Sequence, residues 1–148
     1  MSDREDLPDR GPHPLPHMVR LEQVIAELRD HCSWTAGLTH EALTRYMLEE
    51  AREAVDEIES GAVGDPEAED RLRVELGDVL LQVVLHAQLG AERGAFDLDG
   101  VAEAITAKLI RRNPHVYAPD GRLAPRPASD AEIEANWARV KRQEKGQL

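Results

Sequence analysis

Glu50 and Glu53 stand three residues apart, and Glu75 and Asp78 repeat the interval. In a helix this spacing separates two side chains by only about 60° around the axis, so each pair projects to one side. Leu43, Met47, Ala51, Val55 and Ile58 accompany the first pair at helical intervals, and the second directly precedes Val79 to Leu85, which is apolar nearly all round. Isolated charges beside such faces are costly to bury. Two helices packed antiparallel through these faces bring four carboxylates together, and their repulsion raises pKa values unless a cation neutralises it. All-oxygen donors suit a hard divalent ion, Mg²⁺ with Mn²⁺ as a substitute; no Cys/His set for zinc accompanies them. The competing reading is a solvated acidic surface, because the chain has 29 Asp and Glu and the neighbouring Glu49, Asp56 and Glu57 are equally acidic. Spacing alone leaves both readings open.

A second constellation is basic. Lys108, Arg111 and Arg112 occupy i, i+3 and i+4, one side of a helix near its C-terminal end. Arginine grips phosphate oxygens in a bidentate manner and lysine supplies a point charge, so the patch suits a polyphosphate. Cations at a helix C-terminus are also favourable without any ligand. Arg71, one turn before Glu75, is a lesser candidate for the same task. Trp137 either stacks on a base or anchors the C-terminal segment, whereas Trp34 is read as a packing residue. His40, His86 and His115 are read as capping, core or surface residues, and Cys32 as a small packing residue.

The elements that must position these groups are helices. Aromatic residues are 3% of the composition, and alternation of β-branched residues is absent outside short stretches. Leu21, Val24, Ile25 and Leu28 predict a helix from Met18 to His31, followed by a loop from Cys32 to Thr39. Thr39 is the expected N-cap of a second helix ending at Gly61, and a third spans about Glu67 to Glu92, stopping before Gly94. Asp97 or Asp99 caps a fourth, halted by Asn113 and Pro114. Residues 118–129 are Pro-rich and irregular, and Ser129 or Asp130 caps a short, charged C-terminal helix. Residues 1–16, polar with four prolines, read as a flexible leader outside the fold. The domain organisation expected is thus leader, helical domain 17–117, and a C-terminal loop and helix 118–148.

The formal net charge of -11 excludes a general nucleic-acid-binding surface, which needs clustered Lys and Arg to displace counterions. An anionic ligand needs a bound cation or the small basic patch. One cysteine permits no internal disulfide, and no apolar run approaches the roughly 18 residues of a membrane span or forms a secretory signal. A cytoplasmic location is the expectation, with no membrane partner. At 148 residues the chain fits one domain whose core a second copy commonly completes.

Leu48-Glu49-Glu50-Ala51-Arg52-Glu53 followed by Glu75-Leu76-Gly77-Asp78 resembles the EExxE and ExxD signature of the MazG-type nucleoside triphosphate pyrophosphohydrolases. Lys108 to Tyr117 is similar to the family's KLIRRHPHVF segment, and Asn136-Trp137, Val140-Lys141 and Glu144-Lys145 resemble its tail, so the likeness runs over residues 18–145. The resemblance implies an all-α, four-helix-bundle-like fold that assembles as a homodimer or homotetramer. It implies hydrolysis of a nucleoside triphosphate to the monophosphate and pyrophosphate, with Glu50, Glu53, Glu75 and Asp78 as metal ligands. Glu49 matches the adjacent acid, assigned to orienting water or substrate. Within Cys32 to His40, Ser33, Thr35 and Leu38 stand where the family commonly has Pro, Asp and Gln, a change that bears on base preference. Two other functions fit the same residues: a pyrimidine-specific dNTP pyrophosphatase, and a non-catalytic helical oligomerisation or metal-binding module.

Overall fold

A computed structural model describes residues 15–61, 64–124 and 129–146. Among them are six helices and no strand, only an isolated antiparallel bridge between Tyr117 and Leu123. The fold is all-α, as expected. The proposed leader lies outside the described residues as far as position 14, as do 62–63 and 125–128.

Helix α1 (Pro16–His31) starts two residues ahead of Met18, with Pro16 in its first turn. Proline is favourable there, because its fixed φ matches the helix and its missing N–H would have no partner anyway. A four-residue helix, α2 (Ser33–Ala36), forms inside the expected loop. The Arg29 guanidinium organises it, donating through Nη1 to the carbonyls of Thr35 (2.6 Å), Ala36 (3.0 Å) and Leu38 (3.3 Å). Its Nε and Nη2 reach the Glu92 carboxylate at 3.0 and 2.7 Å. The loop is thus held through main-chain acceptors, which any side chain at these positions would offer.

Helix α3 (His40–Glu59) is capped by the Thr39 hydroxyl, which accepts from the Ala42 amide at 3.1 Å. Gly61 follows its end with φ 88°, a conformation that costs glycine little. Helix α4 (Pro66–Glu92) combines an Asp65 cap with Pro66 in the first turn, and supplies most of the core through Gln82, Val84, Leu85, Ala87, Leu89 and Gly90. A Cβ at Gly90 would lie 2.8 Å from the ring and carbonyl of Phe96, so glycine is what lets the chain fold back here. Helix α5 (Leu98–Arg112) is capped by Asp97 rather than Asp99, its carboxylate accepting from the Gly100 amide at 2.8 Å. Helix α6 (Asp130–Gly146) has 17 residues against 15 in α5, so the expectation of a short C-terminal helix is corrected. Two contacts sustain its length. Ser129 and Glu132 form a reciprocal capping box at its start, each amide donating to the other's side chain at 3.3 Å, and Val140 is buried.

Two compact units divide after Phe96. In the first, α3 packs along α4 and α1 lies against α2 and α4; in the second, α5 packs on α6. The α3–α4 pairing is antiparallel. His40 meets His86, Glu50 and Glu53 meet Asp78 and Glu75, and Glu57 meets Arg71, so each advance along α3 is a retreat along α4. No described helix is long and apolar enough to cross a membrane.

Candidate metal centre and basic patch

The antiparallel register brings Glu50, Glu53, Glu75 and Asp78 together, with one carboxylate oxygen of each within 4.8 Å of the others. Glu50, Glu75 and Asp78 are half-buried and Glu53 is exposed. Burial raises the Glu50 carboxyl above the ordinary carboxylate range, and the Asp78 and Glu53 charges push it further. Glu75 is raised for the same reasons, burial first and then Glu53 and Asp78. One Glu75 oxygen is sealed from solvent without a hydrogen-bond partner. Among the described residues no Lys or Arg forms an ion pair with any of the four. Converging oxygens, one of them orphaned, and like charges without a counterion fit a hard divalent cation.

Glu49 is exposed on the same helix and stands outside this group. Arg71 reaches the Glu57 carboxylate at 3.3 Å, an α3–α4 ion pair flanking the acids. In the second unit, the three basic candidates do not share one environment. Lys108 is exposed, while Arg111 and Arg112 both bind the Glu144 carboxylate of α6, at 2.7 and 2.8 Å. Those two hydrogen-bonded cations hold Glu144 far below the usual carboxylate range, at about 2. Trp137 joins α6 to the end of α5: its indole N–H donates to Asn113 Oδ1 at 3.3 Å, and Arg112 and Lys141 lie 5.6 and 5.5 Å from its ring centre.

Trp34 is not the packing residue its sequence position suggested. It is 63% exposed, sits edge-on to Tyr46 at 6.3 Å, and helps line an open cavity of about 610 Å³ with Glu41, Arg45 and Tyr46. Helix α2 is a single turn that buries Thr35, and the neighbouring Trp34 points away from that buried side.

Sequence reasoning also missed the pairing of His40 with His86. Their Nδ1 atoms are 2.6 Å apart with the rings stacked. Arg93 donates to His40 Nε2 at 2.9 Å, which leaves His40 Nδ1–H to donate to His86 Nδ1 and places the His86 proton on Nε2, buried and unpartnered. Two nitrogens on a tetrahedral metal would be about 3.3 Å apart, so this contact is a hydrogen bond and not a ligand pair. Burial, then the His40 neighbour, lowers the His86 pKa. Positions 46 residues apart on separate helices carry no local signal of such a contact.

The family model described as the MazG nucleotide pyrophosphohydrolase domain matches residues 38–117, which include all four acids and the basic patch. An uncharacterized 26.1 kDa protein in the blaB 3′ region of Streptomyces cacaoi is 40% identical over 97% of this chain and 58% of its own length. The nucleoside triphosphate pyrophosphohydrolase/pyrophosphatase MazG of Thermotoga maritima is 39% identical over 85% of this chain and 44% of its own length. The chain therefore spans about half the length of these curated relatives. A crystal structure of a mazG-related protein from Thermotoga maritima superposes with a TM-score of 0.66 at 20% identity, covering 84% of this chain and 98% of that one, a likeness of fold. With the match running through the acidic helices and the basic segment alike, this chain belongs to the MazG nucleotide pyrophosphohydrolase family.

Proposed function

We propose that this chain is a nucleoside triphosphate pyrophosphohydrolase, converting an NTP or dNTP to the monophosphate plus pyrophosphate with Mg²⁺ as cofactor and water as nucleophile. The observation that carries the reading is the convergence of Glu50, Glu53, Glu75 and Asp78, without a counterion among the described residues, in a chain of this family. These four acids would hold the ion, with Mn²⁺ as a substitute. Bound there, a hard divalent cation supplies charge stabilisation to the phosphates and acidifies water. The residues of the chain do the rest. Glu49 orients water or substrate, and Lys108 and Arg111 offset phosphate charge, with Arg112 and Arg71 contributing alongside their ion pairs.

Trp137 is assigned to holding α6 against the end of α5, which its hydrogen bond to Asn113 supports, and a base contact is left to the test below. A homodimer or homotetramer is supported by α5, which buries none of its residues and leaves Ile105 and Leu109 about half exposed, each at 48%. A cytoplasmic location completes the reading.

The test is pyrophosphate release from a panel of ribo- and deoxynucleoside triphosphates with Mg²⁺ or Mn²⁺, for the parent chain, Glu53→Ala and Asp78→Ala. Turnover confined to pyrimidine deoxynucleotides would narrow the assignment to the pyrimidine-specific enzyme. Folded protein that is stabilised by Mg²⁺ and turns over nothing would replace the enzyme with a metal-binding module.

A further inference from the structure

Arg111 and Arg112 are adjacent in α5, and adjacent residues of a helix leave the axis about 100° apart. Two such guanidiniums, alike in charge, converge only where an anion draws them together. Glu144 is that anion. Its Oε1 accepts from Arg111 Nε at 2.9 Å, with Arg111 Nη2 in ion-pair contact at 2.7 Å, while its Oε2 accepts from Arg112 Nε at 3.2 Å and from Arg112 Nη2 at 2.8 Å. The consequences for the two arginines differ. The Arg112 side chain is 21% exposed, with Trp137 against its guanidinium, so it works as a clamp between helices. The Arg111 side chain is 50% exposed, and among the described residues its Nη1 has no acceptor.

We infer that Glu144 is a positioning residue: by bridging the two arginines it fixes Arg111 with Nη1 turned outward, ready for a phosphate oxygen of the triphosphate. The inference rests on the reading that the basic patch contacts substrate phosphate. Two cations and one carboxylate leave the bridge with a net positive charge, so a phosphate adds to it without displacing Glu144. Preorganising a guanidinium in this way removes the ordering cost that a free arginine side chain meets when it binds. The carboxylate stays ionised throughout the neutral range, because both arginines hold its pKa at about 2.

Steady-state kinetics on the full chain with Mg²⁺ and its best triphosphate test this, comparing the parent with Glu144→Gln, Glu144→Asp and Arg111→Ala. Glu144→Gln keeps the shape and removes the charge; KM is expected to rise about tenfold with kcat within twofold. Glu144→Asp, which keeps a carboxylate, should recover part of that loss, and circular dichroism should show full helix content in both. A residue that merely held α6 in place would lower thermal stability without a selective change in KM. An unchanged KM in Glu144→Gln, with Arg111→Ala raising it, overturns the positioning role alone. A fall in KM overturns it too, by showing that the carboxylate competes with phosphate. An unchanged KM in Arg111→Ala removes the phosphate reading of the patch and this inference with it. Calorimetric titration with inorganic tripolyphosphate gives the same comparison without turnover: weaker binding by Glu144→Gln supports positioning, and equal or tighter binding refutes it.

Discussion

Two clusters of charge in this chain are built on opposite principles. On α3 and α4, four like charges are brought within reach of one another, partly desolvated and left without a counterion among the described residues, and the pKa values of Glu50 and Glu75 rise in consequence. On α5 and α6, opposite charges satisfy one another and the Glu144 pKa falls to about 2. A cluster that is unfavourable as it stands calls for a ligand of the missing sign, whereas one whose carboxylate is already paired is first a structural joint. On the proposed reading, the metal belongs with the acids of the first cluster, and only the unpaired part of the basic patch acts on a ligand.

The sharpest way to break this comparison is to remove a charge from the unfavourable cluster. Glu53→Ala or Asp78→Ala should lower kcat by at least about a hundredfold, the scale of losing one element of electrostatic stabilisation. The same substitutions should raise the thermal stability of the metal-free protein, because they relieve repulsion. A drop in metal-free stability on circular dichroism melting would show that the acids are satisfied within the chain.

Next in size is the response to metal and pH. Saturating Mg²⁺ at a hundred times its Kd should stabilise the chain by about 2.7 kcal/mol, and chelation should abolish both this and turnover. Without metal the sign of the pH dependence is set by the raised pKa values of Glu50 and Glu75. The folded state then binds more protons than the unfolded state, so their contribution to stability falls as pH rises from 4.5 through the raised values. Mg²⁺ needs the deprotonated acids, so its stabilisation grows over the same interval. Melting temperatures measured from pH 4.5 to 8 with and without Mg²⁺ would show the two trends diverging; parallel curves would dissociate the metal from these acids.

These expectations rest on features whose legibility in the sequence varied for physical reasons. Local chemistry was readable: Thr39 and Asp97 cap the helices they precede, and the i,i+3 acids do face one side. A cap or a helical face depends on neighbours in the chain, which a sequence displays. Partner choice depends on the register between helices, which no local pattern encodes. Arg71 read as a phosphate candidate and is paired with Glu57; Arg111 and Arg112 read as a phosphate-binding patch or helix-end cations and share Glu144; His40 and His86 read as separate residues and form one hydrogen-bonded pair. Helical spacing allowed the acids to be joined across helices, and the family resemblance favoured that over a solvated acidic surface.

The ion-paired cluster should respond to acid in the opposite sense. Glu144 has a folded pKa of about 2 against an ordinary value of 4.5, so its contribution is complete above 4.5 and lost as pH falls toward 2. Glu144→Gln should therefore lower the melting temperature at neutral pH and bring it toward the parent's in acid. An equal deficit at pH 7 and pH 3 would show that shape, not charge, holds the joint.

The smallest expected effect separates the two roles open to Trp137. Phenylalanine in its place keeps a ring beside Arg112 and Lys141 and deletes the indole N–H that reaches Asn113 Oδ1. That hydrogen bond is long at 3.3 Å, so its loss should cost about 0.5–1 kcal/mol in stability by chemical denaturation. An anchoring role leaves the ranking of nucleotides by kcat/KM as it was, because the lost contact is to the end of α5. A ranking that changes with the base, at undiminished stability, would make the indole a base platform instead. The ion pairs of Glu144 with Arg111 and Arg112 would then carry more of the joint between α5 and α6, and Glu144→Gln should cost more stability than Trp137→Phe.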